Sequence, residues 1–82
     1  MKLQYSNRAQ KDFKKLPADK AKAILNKIKL LEKSPCLGKK LGGKFKEFYS
    51  LRVWPYRVIY QISKWQKVIL IITVEHRQGV YK

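Results

Sequence analysis

The stretch that decides the fold is Tyr56-Arg57-Val58-Ile59-Tyr60-Gln61-Ile62-Ser63-Lys64-Trp65-Gln66-Lys67-Val68-Ile69-Leu70-Ile71-Ile72. Two runs rich in β-branched and aromatic residues flank the link Ser63-Lys64-Trp65-Gln66-Lys67, the pattern of paired strands. In the first run Tyr56, Val58, Tyr60 and Ile62 share one face, and Arg57, Ile59 and Gln61 share the other. The second run, over 68–75, opens on an unbroken apolar segment at 68–72. That predicts a strand buried on both faces and central in its sheet. Residues 45–53 form another strand pattern, joined to 56–62 through Trp54-Pro55. Such short links imply antiparallel pairing.

Outward from this meander, Leu3 and Tyr5 alternate with Lys2 and Gln4 in a short first strand. Ser6 is placed to cap a helix. Ala9, Phe13 and Leu16 give that helix one apolar stripe, and Pro17 ends it. A second helix is expected over 18–33. Ala21, Ile24, Leu25, Ile28 and Leu31 recur at helical spacing, with Lys20, Lys22, Lys27 and Lys29 elsewhere on its surface. Ser34-Pro35 stops it, and residues 35–43, rich in Gly, Lys and Leu, read as a loop. The expected architecture is α+β in the order β-α-α-β-β-β, with residues 1–82 forming a single domain. A helical hairpin covers one face of a mostly antiparallel four-stranded sheet, because the apolar stripes need burial. Assigning the Tyr56 set to the helix side leaves Arg57 on the open face.

The chain carries 20 Lys and Arg against 5 Asp and Glu, a net charge of +15 over 82 residues. That charge attracts polyanions and opposes compaction. A hydrophobic content of 45% excludes a wholly disordered chain. Of the basic residues only four are arginines, and Arg52, Arg57 and Arg77 all fall in the strand-rich half. Lysine supplies charge generically, whereas the planar guanidinium grips a phosphate bidentately. Cys36 stands alone, so no internal disulfide is possible. The N-terminus lacks the apolar core of a signal peptide, and the run at 68–72 is far too short to span a bilayer. The expectation is a cytoplasmic protein without a membrane role.

The order of elements, the segment Leu51-Arg52-x-x-x-Tyr56-Arg57-Val58-Ile59-Tyr60 and the ending His76-Arg77-x-x-Val80-Tyr81 resemble the RelE/ParE superfamily of toxins. The stretch Tyr5-Ser6-x-x-Ala9-x-Lys11-Asp12-Phe13-x-Lys15-Leu16-Pro17 is similar too. The ending looks more like the RelE branch, whose members cleave mRNA on the ribosome; the ParE branch inhibits DNA gyrase. The resemblance implies that Arg57 holds the scissile phosphate and that Arg77 stabilises charge or protonates the leaving group. It implies that Tyr81 stacks on a substrate base, and it matches Arg52 to a basic position of the preceding strand. It also implies a cognate acidic antitoxin as partner, with ribosome and mRNA as targets. The best-studied RelE branch carries two lysines at the positions of Phe48 and Ser50, and neither residue here is a base or a cation.

Metal-independent RNA cleavage needs in-line attack by a ribose 2′-OH, proton transfers at both oxygens, and positive charge at the pentavalent phosphate. Arg57 and Arg77 suit the last task. His76 is the one histidine, the side-chain type most used for general acid–base catalysis, but in a regular strand it points away from Arg77, so it is an auxiliary candidate. Glu47 is a further candidate base, with a surface partner for Lys46 or Arg52 as the alternative. Lys39, Lys40, Lys44 and Lys46 form a basic loop and strand edge suited to phosphate contacts. One His, one Cys and scattered acids offer no metal-ligand spacing, and no cofactor is expected.

Overall fold

The computed structural model describes residues 2–42 and 47–76. The chain runs β1 (Lys2–Tyr5), α1 (Asn7–Lys14), α2 (Ala18–Leu30), β2 (Lys39–Gly42), β3 (Glu47–Val53), β4 (Tyr56–Ser63) and β5 (Val68–His76). The strands form one sheet in the order β1-β5-β4-β3-β2. β2 to β5 pair antiparallel in sequence order, while β1 pairs parallel with β5. Both helices pack on one face. Ala9, Ile24, Ile28 and Leu31 meet Tyr49, Leu51, Val58, Tyr60, Ile62, Ile69, Ile71 and Val74 in one core. Leu25, on the margin of the expected stripe, is exposed.

Ser6 caps α1 as expected, its hydroxyl accepting from the Ala9 N–H at 3.0 Å. Past Leu30 the chain tightens into i→i+3 bonds, from the Leu31, Glu32 and Lys33 amides to the Ile28, Lys29 and Leu30 carbonyls. The second helix is therefore shorter than the apolar periodicity implies, though Leu31 still reaches the core.

The sheet has five strands, one more than the sequence pattern suggests. Lys39–Gly42, inside the expected loop, forms the edge strand β2, with a register shift between Lys40 and Gly42. Lys and Gly have low β propensity, so nothing local announces a strand there. It is placed from a distance. The fully buried Tyr60 donates its hydroxyl to the Pro35 carbonyl at 2.8 Å and accepts the Gly38 N–H at 2.9 Å. A Cβ on Gly38 would sit 2.7 Å from the Tyr60 oxygen and 2.8 Å from the Ser50 carbonyl, so only glycine allows this approach.

β5 contains a bulge. Ile59 pairs with Thr73 and Tyr60 with Ile71, so Ile72 is the extra residue. On one side of it Ile69 and Ile71 face the helices; on the other side Val74 does. α1 satisfies the backbone groups this frees. The Ser6 hydroxyl donates to the Ile72 carbonyl at 2.6 Å, and the Val74 N–H donates to an Asp12 carboxylate oxygen at 3.0 Å. β5 is interior but second from the edge, and Leu70 and Ile72 remain half-buried. The expected burial on both faces is therefore only partial.

Candidate functional site: a charged row on the open sheet face

Strand register builds the site. Arg52 on β3 lies directly opposite Arg57 on β4, which lies directly opposite Glu75 on β5. Directly paired residues share a face, with Cβ atoms about 4.5–5.5 Å apart. The neighbours of Arg57 along β4, Tyr56 and Val58, belong to the helix side with the core. Arg52, Arg57 and Glu75 therefore form a row on the face the helices leave open. Like charges directly opposite one another oppose folding, so the Arg52–Arg57 pairing is not one that stability alone favours. Two features relieve it. The Arg52 guanidinium lies over the Trp54 ring, 5.2 Å from its centroid, and Glu75 brings a carboxylate to the other side of Arg57. Glu75 is itself held by the Thr73 hydroxyl, which donates to it at 3.0 Å.

Of the basic-edge candidates, Lys39 pairs with Ser50, two residues along β3 from Arg52 and on the same face. Lys40 pairs with Tyr49 and so belongs to the helix side. His76 pairs with Tyr56, their rings edge-on at 5.1 Å and 88°, which puts the imidazole across the sheet from Arg57. The backbone of Glu47 pairs with that of Ile62, at the opposite end of β3 from Arg52. Arg77, Tyr81, Lys44 and Lys46 lie outside the described residues.

Glu75 is the member of the row that sequence reasoning missed. The apolar run before it gives no face alternation to count from, and the bulge at Ile72 then shifts the count by one. Among the described residues, no cluster of His, Cys, Asp and Glu is arranged to hold a metal ion, and no helix is long and apolar enough to cross a membrane.

Two helices on one face of a mostly antiparallel five-stranded sheet make the α+β fold of RelE-like toxins. Residues 3–81 match the family described as the ParE toxin of type II toxin-antitoxin systems, parDE. The chain belongs to that family, within the RelE/ParE superfamily, and is a toxin of a type II toxin–antitoxin system. No curated protein matches it in sequence. Among solved structures it is similar to the archaeal RelE of the RelE-RelB complex from Pyrococcus horikoshii OT3, with 27% identity and a TM-score of 0.83 over 93% of each chain. It is similar to a chain of the RelBE2 toxin-antitoxin complex from Mycobacterium tuberculosis, with 27% identity and a TM-score of 0.81 over 93% of this chain and 96% of that one. A chain of the intact E. coli RelBE complex matches at 26% identity and a TM-score of 0.76, over 92% and 94%.

Proposed function

We propose that this toxin is a ribosome-dependent, metal-independent mRNA endoribonuclease that stops translation and is neutralised by a cognate acidic antitoxin. The observation that carries the reading is the direct cross-strand pairing of Arg52 with Arg57 on the open face. Two guanidiniums so placed present forked donors to one phosphate and meet the charge that grows on it as the 2′-OH attacks. Arg77 adds a third cation to the same chemistry, and Tyr81 stacks on the neighbouring base. The similar structures from Pyrococcus horikoshii and E. coli are complexes of RelE with RelB, which supports an antitoxin partner here. A net charge of +15 suits an acidic one.

The test is single-turnover cleavage of mRNA held in the ribosomal A site. Arg57→Ala and Arg77→Ala should each lose roughly a hundredfold in rate, the scale of removing one preorganised donor. Arg57→Lys should recover only part, because lysine keeps the charge and loses the fork. Lys29→Ala, on the outer surface of α2, should cleave like wild type. Equal losses for Lys29→Ala and Arg57→Ala would mean that bulk charge is the cause, and would sink the clamp.

A second reading has its own observations. The matching family is described by the ParE toxin, and Phe48 and Ser50 stand where the RelE branch carries lysines. A gyrase inhibitor of that kind needs no phosphate clamp. In that case replication halts before translation, mRNA stays intact, and Arg57→Ala still inhibits.

A further inference from the structure

At the far end of the open face, Trp65 projects from the β4–β5 turn and is 98% exposed, the most exposed large apolar side chain among the described residues. Folding gains nothing from an indole left in water. Beside it lies a cavity of about 220 Å³ bordered by Gln4, Gln61, Ser63, Gln66 and Leu70. Register explains its floor. Leu70 on β5 is flanked by Gln4 on β1 and Gln61 on β4, so two amides stand on either side of an apolar side chain. Among the described residues, no charged side chain borders the cavity. The charge lies around it: Lys64 and Lys67 neighbour Trp65 in the turn, and Lys2 pairs with Val68 at the open-face end of β1.

We infer that this corner is a subsite for one unpaired base of a single-stranded RNA, stacked on Trp65 with its edge read by the Gln4, Gln61 and Gln66 amides. Each component answers a different part of a nucleotide. A flat indole accepts the face of any base. Carboxamides offer both donors and acceptors to a Watson–Crick edge, which only an unpaired base exposes. The lysines meet the phosphates without reading sequence. An acidic peptide would instead leave those amides facing carboxylates that the rim lysines bind better. At 220 Å³ the cavity is below the ~300–1,000 Å³ of pockets that enclose a whole drug-sized ligand, which suits a single ring system.

The subsite lies on the same face as the arginine row. From Arg57 to Ser63 along β4 is about 20 Å at ~3.3 Å per residue. That distance is about six nucleotides at the ~3.4 Å stacked spacing, and single domains that track one strand cover about 4–16. One RNA strand can therefore touch both places, held by phosphate at one and by base at the other. The identity of the strand as RNA rests on the mRNA-cleavage reading; the stacking subsite does not need it.

The experiment is fluorescence anisotropy of a short labelled single-stranded RNA with the full chain at low salt, run beside ribosomal cleavage and antitoxin binding. Trp65→Ala should weaken RNA binding about five- to hundredfold, the range for losing one stacked base. Trp65→Phe should recover most of it, and Gln61→Ala should change the preference among bases more than the mean affinity. Trp65 is exposed, so these proteins should melt with wild type. Wild-type affinity in Trp65→Ala overturns the inference, and so does a loss confined to antitoxin binding. If Arg57→Ala abolishes cleavage while Trp65→Ala binds RNA normally, the nuclease stands and the subsite falls. If Trp65→Ala loses RNA binding in a protein that cleaves nothing, the subsite stands and the nuclease reading falls.

Discussion

Removing one oxygen, in Tyr60→Phe, should loosen the segment that presents the basic edge strand. The Tyr60 ring stays in the core, stacked on Tyr49 at 5.3 Å and 13°, so packing is unchanged. What disappears is the pair of hydrogen bonds to Pro35 and Gly38. Each contributes about 0.5–1.5 kcal/mol net, and an orphaned backbone group costs about 1–3 kcal/mol where water cannot reach it. Both bonds are only partly buried, so rehydration keeps the total near ~1–3 kcal/mol. For a domain of this size that lowers Tm by about 5–20 °C. The loss should also depend on pH. Burial is the main cause raising the Tyr60 phenol above its ordinary 10.0, with the Gly38 N–H pulling it down and Cys36 adding to the rise. Below pH 10 the phenol is neutral in both folded and unfolded chains, and its contribution is fully present. Above pH 10 the unfolded phenol ionises first, so the contribution shrinks and is lost as pH passes the folded value. The gap between wild type and Tyr60→Phe should therefore narrow at alkaline pH. The Tyr5 phenol is also raised, by burial and then by Glu32, but it is present in both proteins and cancels. Urea unfolding of both from pH 7 to 11 measures the gap. Equal stabilities at pH 7, or a gap that widens above pH 10, would refute the account of how β2 is held.

Asp12→Ala strips the acceptor from the Val74 N–H, a bond to a charged group contributing about 1.5–3 kcal/mol; thermal melts should show the loss, amide exchange should speed up at Val74, and Asp12→Asn should lose less. A saturating cognate antitoxin should stabilise the fold by mass action, by about 2.7 kcal/mol at a free concentration a hundredfold above Kd, and so raise Tm; calorimetry with and without the partner checks it, and no shift would count against the pairing.

Much of this protein is legible in its chain. The alternation of Tyr56, Val58, Tyr60 and Ile62 with Arg57, Ile59 and Gln61 names the two faces of β4, and Ser6 and Pro17 bracket the first helix. These are local signals, because side-chain period and capping act within a few residues. Long-range signals are different. β2 exists because Tyr60, some twenty residues further on in sequence, reaches back to Pro35 and Gly38. No propensity in a Lys- and Gly-rich segment encodes that. The candidate site divides the same way. Sequence singles out Arg52 and Arg57 as scarce arginines in strands, but only the register makes them direct partners. Glu75 joins them because the bulge at Ile72, held by Ser6 and Asp12, sets which side chains at the end of β5 face outward. Periodicity is a property of one strand, whereas register is a relation between strands. The chain alone therefore determines which residues can lie on a face, and tertiary pairing alone decides which of them meet.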